Sequence, residues 1–283
     1  MGKRIILQRM RKSKFFVIGA LGVALIVLVS LLAPEIIVHD PYTTDLGARL
    51  LPPEGFTKGV NGYIFGTDQV GRDILTRLLI GSRYSLMVAC VASVCTALIG
   101  LLLGLLAGYY GKTVEMIIMR LCDVMSAIPT LLLAIAVLAV LGISTANLIG
   151  VMIATRWVEY TRLMRNEVKS IRNREFVLAS KALGASDWHM MWKQIFPNIT
   201  TPLLIQFSQS FGRIIMLEAS LSFLNMGIQP PTPSWGSMIS AGRGFIAIAP
   251  WVVVAPGCCL MITVLSFNFL GDGLRDVLDP KRT

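Results

Sequence analysis

Charge is what this 283-residue chain has little of: Asp, Glu, Lys and Arg make up 15% of it, against about 25% in an ordinary soluble domain. The shortage is concentrated in six long windows without a charged residue, 15–34, 84–111, 124–155, 194–212, 219–242 and 244–271. Crossing a bilayer's hydrocarbon takes about 20 apolar residues, so these windows exclude a lone soluble domain and predict a polytopic membrane protein. Histidine is scarcer still, with only His39 and His189. Cys90, Cys95, Cys122, Cys258 and Cys259 lie in or beside the windows without metal-site spacing. No disulfide framework, metal site or soft-metal relay follows from them, and they read as small polarisable packing residues. No acid, base and nucleophile cluster supports a membrane-embedded enzyme.

What the chain does have is an excess of positive charge, +10 at neutral pH. The basic residues sit in short segments between apolar runs rather than along one solvated face, which argues against nucleic acid and for topology. With a cytoplasmic amino terminus and six spans, 19 of the 26 basic residues fall inside and six outside, while Arg213 lies within a span. The start, with Lys3, Arg4, Arg9, Arg11, Lys12 and Lys14, is basic like a secretory signal. Phe15–Leu32, however, exceeds a signal's apolar core of about 7–15 residues and meets Pro34-Glu35 instead of a small-residue cleavage site. An uncleaved first span over 15–34 is expected.

The remaining order reads as an extracytoplasmic segment 35–83, broken by Pro41, Pro52 and Pro53, then a core domain 84–271, with residues 1–14 and 272–283 cytoplasmic. Expected spans are 84–108, 120–141, 145–163, 200–226 and 246–270. Gly100, Gly104 and Gly108 recur at spacing four and predict close helix packing. The 32-residue window 124–155 is divided at Gly142-Ile143-Ser144, and Pro129 is expected to kink the third span. Arg156 and Glu159 fall near the cytoplasmic end of the fourth. Gln229 to Gly236 holds three prolines and predicts an external loop.

Between the fourth and fifth spans lies the segment 165–197. It begins as a charged helix and reaches Gly184, suited to a helix C-terminus, with Ser186 or Asp187 placed to cap a second short helix. Pro197 is expected to stop that helix. Trp188, Met190, Met191 and Trp192 supply apolar anchors for another protein's groove.

Leu178-Ala179-Ser180, Gly184 and Ile195-Phe196-Pro197 resemble the EAA coupling motif of ATP-binding-cassette (ABC) importer permeases. Ala179, Gly184 and Pro197 match, while Leu178, Ser180 and Phe196 depart from its Glu, Ala and Leu. Three further segments resemble the binding-protein-dependent dipeptide, oligopeptide and nickel branch, the OppC/DppC-like subunits. They are Gly66-Thr67-Asp68-Gln69-Val70-Gly71-Arg72-Asp73 with Arg77, Gly81, Arg83, Ser85 and Leu86; Ser222-Phe223-Leu224 through Pro230-Pro231-Thr232-Pro233-Ser234-Trp235-Gly236; and Phe267-Asn268 through Leu278-Asp279-Pro280.

The resemblance implies an all-α type I importer permease in the bacterial inner membrane, six transmembrane helices with a cytoplasmic coupling-helix pair, for di- or oligopeptides. It also implies the partners: a second homologous permease, two cytoplasmic ATP-binding subunits that hold ATP and Mg, and an extracytoplasmic solute-binding protein. This chain itself would carry no cofactor, metal or catalytic residue. ATPase docking falls to Ala179, Ser180, Leu183, Gly184, Ala185, Ser186, Asp187 and Trp188. Gly108-Tyr109-Tyr110-Gly111-Lys112-Thr113 is no P-loop, because position 106 is Leu.

Arg213 and Glu218 are the two charges deep in an expected span, where each costs at least about 2.5–3.5 kcal/mol unless it faces water or a partner. Two readings stand, a translocation path with Gln209 nearby, or structural contacts between helices. Spacing five sets Arg213 and Glu218 about 140° apart, which disfavours mutual pairing. Gln206 and Asn225 read as interhelical glue. Arg72, Asp73 and Trp235 are expected to meet the binding protein or brace the gate, against a solvated helix stabilised by Asp73 and Arg77 at i,i+4. Asp272, Arg275, Asp276 and Asp279 would anchor the end of the last span. Alternatives are a nickel or other small-solute importer, or a secondary transporter or channel, for which no internal repeat is evident.

Overall fold

The computed structural model describes residues 3–55 and 62–278, with side chains from residue 8 onward; Lys58, Asp279, Pro280, Lys281 and Arg282 lie outside the described residues. All regular elements among the described residues are helical. Helix α1 (Lys3–Lys12) passes into α2 (Lys14–Ile36) at Ser13, whose side chain accepts from the Phe16 N–H at 3.3 Å and so caps α2. Along α2, Ile18, Leu21, Leu25, Leu28 and Leu31 are exposed, a face that hydrocarbon solvates and water does not.

Helix α3 (Ile74–Tyr110) begins ten residues before the expected start of the second span. Its 37 residues extend about 55 Å at 1.5 Å per residue, well beyond a hydrocarbon core of roughly 30 Å. Helices α4 (Lys112–Ala127) and α5 (Thr130–Leu141) replace the expected third span. They meet at 86° across Ile128 and Pro129. Pro129 cannot donate to a continuing helix, and its extended backbone, φ −55° and ψ 126°, makes a corner instead of the expected kink.

Helix α6 (Thr145–Arg172) starts at a Ser144 cap and runs nine residues past the expected end of the fourth span. The charged helix expected from residue 165 is therefore the last part of α6. Its basic side chains act as clamps. Arg165 and Lys169 pair with Glu115 of α4, Arg162 pairs with Asp123 at 3.0 Å, and Arg172 donates to the Tyr109 carbonyl at 2.6 Å, satisfying the C-terminus of α3. Gly100, Gly104 and Gly108 do form the packing face. A Cβ on Gly104 would stand 2.5 Å from Met164 Cβ and one on Gly108 would stand 2.6 Å from Val168 Cβ, while Gly100 lies against Tyr160. These glycines let the α3 and α6 backbones run side by side.

Helix α7 (Glu175–Ala182) is followed by the short α8 (Asp187–His189), a π-helical turn Met190–Ile195 and then α9 (Phe196–Phe223). Pro197 lies in the first turn of α9, where its missing N–H is tolerated; it does not stop a helix as expected. After a loop, α10 (Trp235–Gly242) leads to α11 (Trp251–Leu278). The proline-rich segment is thus a loop only as far as Ser234, which caps α10. Helix α11 packs on α9, and on α2 where Gly19 lies against the Leu270 backbone. By length and composition three helices, α2, α3 and α11, can cross a membrane, and the bent α4–α5 pair is a fourth candidate. Six spans are not reached on that criterion, because α6 is interrupted by charges and α9 is diluted by Gln, Ser, Arg213 and Glu218.

Candidate functional site

The elbow between α7 and α8 is built from local hydrogen bonds. Gly184 has φ +82°, the left-handed conformation that glycine accepts without a Cβ clash. Its N–H donates to Lys181 O at 3.0 Å and the Ala185 N–H donates to Ser180 O at 3.2 Å, the paired closure of a Schellman motif. Ser186 then accepts from the His189 N–H at 3.3 Å. Asp187 does not cap; its carboxylate accepts from the Tyr109 hydroxyl at 2.6 Å and so fastens the elbow to α3. Leu183 is 89% exposed and Trp188 68%. Ala179 and Ser186 are exposed, and Ser180 and Ala185 partly so, so all eight expected docking residues reach one open segment. Met190 and Met191 are buried, a correction to their expected role as outward anchors. The inward methionines tie the elbow to α3 and α6, and the Trp192 ring packs at a tilt against both Trp188 and Phe196.

At the start of α3 the motif from Gly66 to Arg77 closes on itself. Asp68 is buried and holds two arginines, with Arg72 Nε at 2.7 Å and Arg77 Nε at 3.6 Å. Arg77 also donates to the Pro41 carbonyl at 2.8 Å. The turn carrying Pro41 is held by Asp40, whose carboxyl is kept below the usual range first by the Tyr42 backbone N–H and then by the Thr43 hydroxyl. Asp73 is 5% exposed and caps α3, accepting from the Thr76 N–H at 3.0 Å. It does not pair with Arg77, and it is not open to a binding protein; both expectations are corrected, since a cap must face its own helix's first turn. Arg72 is only partly exposed. Asp68→Ala is expected to remove most folded chain, because losing one partner of a buried ion pair destabilises by about 3–5 kcal/mol. Protease resistance of the purified transporter measures this, and wild-type resistance would refute the pairing.

Glu218 is fully buried and none of its contacts is to Arg213. Its carboxylate accepts from Ser222 Oγ at 2.7 Å and Ser85 Oγ at 3.4 Å. Trp235 is 3% exposed, its backbone N–H lies 3.4 Å from Ser85 Oγ, and its indole donates to Leu78 O at 3.1 Å. A Cβ on Gly236 would stand 2.7 Å from Ala219 Cα. Glu218 and Trp235 therefore bolt α10 to α3 and α9 with both side chains inside the chain, which agrees with the structural-contact reading of Glu218 and with a bracing contact for Trp235 rather than one exposed to a binding protein. Glu218→Gln keeps the shape, with one acceptor oxygen and an NH2 group that can donate to the second serine hydroxyl, whereas Glu218→Leu strands the serines, each stranded hydroxyl destabilising by about 1–3 kcal/mol. The leucine variant is expected to melt earlier and the glutamine variant near wild type, and equal melting temperatures would remove the bolt.

Arg213 behaves differently. It is 42% exposed on its side chain and pairs with Glu159 of α6 at 2.9 Å. Glu159 also takes Arg156 at 3.1 Å. Arg156 and Arg213 line an open cleft of about 360 Å³ with Thr130, Ser220 and Asn268. Gln209 donates to Asp272 at 3.2 Å and joins α9 to α11, and Gln206 reaches Ser210 at 3.1 Å. Sequence reading missed Glu159 as the shared partner of Arg156 and Arg213. The signal available was a set of charges within expected spans, but the 54-residue separation from Glu159 to Arg213 hid the pairing.

Residues 100–283 match the family described as binding-protein-dependent transport system inner membrane component, and residues 3–53 match the N-terminal TM domain of oligopeptide transport permease C. The chain is 40% identical to the dipeptide transport system permease protein DppC of Haemophilus influenzae, over 96% of this chain and 92% of that one. It is 41% identical to the di/tripeptide transport system permease protein DppC of Pseudomonas aeruginosa, over 93% and 87% respectively. In fold it is similar to a chain of the MetNI methionine ABC transporter in an inward facing conformation, with TM-score 0.60 and 19% identity over 73% of this chain and 98% of that chain.

Proposed function

The chain belongs to the binding-protein-dependent transport system inner membrane component family, and on that premise we propose that it forms half of the pathway of a peptide importer driven by separate ATPases. Two cytoplasmic ATP-binding subunits, which hold the ATP and Mg, dock at the elbow; a second, homologous permease completes the pathway, and an extracytoplasmic binding protein delivers di- or oligopeptides. The chain crosses the inner membrane six times with both termini cytoplasmic, α6 and α9 serving as spans whose charges face the pathway or neighbouring helices.

The observation that carries this reading is the elbow. Leu183 and Trp188 project from a segment closed by the Gly184 turn and fixed to α3 through Asp187 and Tyr109. An apolar anchor on a rigid support transmits movement of a partner, whereas one on a loose loop absorbs it. The relatives named for dipeptides and di/tripeptides support the solute class. Affinity purification of the chain from membranes tests the assembly. Recovery of two ATP-binding subunits is expected, and their loss in Trp188→Ala with the partner permease retained would place docking at the elbow. Recovery of the chain alone would favour a secondary transporter or channel.

A further inference from the structure

Three charged side chains meet where α6 faces α9, and their charges do not cancel. Arg156 and Arg213 both bond the single carboxylate of Glu159, at 3.1 and 2.9 Å on different oxygens. Gln206 and Ser210 add neutral partners, Gln206 to Glu159 at 3.5 Å and Ser210 to Arg213 at 2.8 Å. Two guanidinium groups against one carboxylate leave one positive charge in excess. Arg156 Nε is buried and has no hydrogen-bond partner. Both arginines border the same cleft, whose volume of about 360 Å³ falls in the range of small-molecule sites, about 300–1,000 Å³. Arg213 lies well inside the 28-residue helix α9 yet is 42% exposed, and an arginine so placed in a span faces water or a polar partner.

We propose that Arg156 and Arg213, shared by Glu159, form a transient subsite for the free carboxylate of the transported solute, the carboxyl end of a peptide. This rests on the importer reading and adds the chemical group recognised. Guanidinium groups suit the role because their planar donors match a carboxylate's two oxygens. The incoming carboxylate takes the place of Glu159 on one arginine. Exchange of one carboxylate for another keeps each charge paired, so neither entry nor departure strands a bare ion in a low-dielectric wall. Net affinity is then a difference between two similar interactions. A pathway needs that, because a solute held too firmly would not leave.

The test uses the whole transporter in liposomes, with ATP inside and binding protein saturated with either a dipeptide or its C-terminal amide. Each variant's uptake is divided by wild type for the same solute, which cancels any preference of the binding protein. Arg213→Gln and Arg156→Gln are each expected to lower uptake of the free acid about tenfold, the effect of losing one charge-assisted hydrogen bond, and uptake of the amide less than about twofold. Equal losses for both solutes would reduce the trio to a clamp between α6 and α9 and overturn the proposal. Glu159→Gln provides a second arm that does not remove an arginine. By removing the competing carboxylate it is expected to strengthen inhibition of amide uptake by excess free acid on the path side, and unchanged or weaker inhibition would overturn the subsite. A wild-type complex that moves neither peptide form fails the importer reading itself, a result distinct from equal losses.

Discussion

Leucine at Gly104 is expected to leave little folded chain in the membrane. A Cβ there would lie 2.5 Å from Met164 Cβ, 2.9 Å from Thr161 O and 3.0 Å from Arg165 N. Two of those atoms are backbone, so no rotamer change relieves the clash, and α3 and α6 must separate along the face that Gly100 and Gly108 share. Overpacking in an ordinary core destabilises by about 1–3 kcal/mol. Here the loss is less easily offset, because apolar side chains gain little from one another over lipid and association depends on close packing. The monodisperse fraction after detergent extraction should fall about tenfold or more, each 1.4 kcal/mol being a factor of ten. Gly150→Leu is the control, since nothing lies within 4 Å of a Cβ at that glycine on α6. Equal recovery of both variants would mean that the helices do not meet on the glycine face.

Valine at Gly184 is expected to cut transport about tenfold without preventing insertion. Nothing lies within 4 Å of a Cβ there, so the effect is confined to the backbone. A φ of +82° is disfavoured for an L-residue by about 1–2 kcal/mol, and β-branching makes it worse. The chain escapes the strain by giving up the hydrogen bonds from Gly184 to Lys181 and from Ala185 to Ser180, which turns Leu183 and Trp188 away from each other. Uptake should fall about tenfold, because redirecting two exposed anchors removes more than 1.4 kcal/mol of docking, while the amount of chain in the membrane stays at the wild-type level. Asparagine tolerates the left-handed conformation, so Gly184→Asn should restore most uptake. Full activity in the valine variant would disconnect the elbow from coupling.

The parts of this architecture that could be read from the sequence are those whose signals are local. Charge-free windows locate α2, α3 and α11 because hydrocarbon demands a continuous apolar stretch. Glycine spacing exposes the α3 face, and Gly184 marks the elbow, because each depends on a backbone requirement that one residue type meets. The corner at Pro129 was only half legible. A proline announces a break, but the 86° turn depends on where α5 finds its packing. The polar knots were hidden for a different reason. Asp68 meets Arg77 nine residues away, Ser85 meets Glu218 at a separation of 133, and no helical period links such partners. Treating the basic residues of 156–193 as topology alone also missed their clamps on Glu115, Asp123 and the end of α3.

The division of charged residues follows from burial. Asp68, Arg77 and Glu218 are enclosed and hold helices in register. Arg213 remains open beside a cleft and pairs with the equally exposed Glu159, while the elbow exposes the uncharged Leu183 and Trp188 instead. Enclosed charge and open charge in this chain are therefore different residues, although the sequence shows them alike.

The most direct measurement is accumulation of a labelled dipeptide in liposomes containing the complete complex with its binding protein outside. Internal concentration should rise above external only when ATP and both ATP-binding subunits are present, and the initial rate of that rise should fall about tenfold with Gly184→Val in this chain. Equal accumulation without ATP, or uptake that only equalises the two concentrations, would contradict an ATP-driven importer coupled through the elbow.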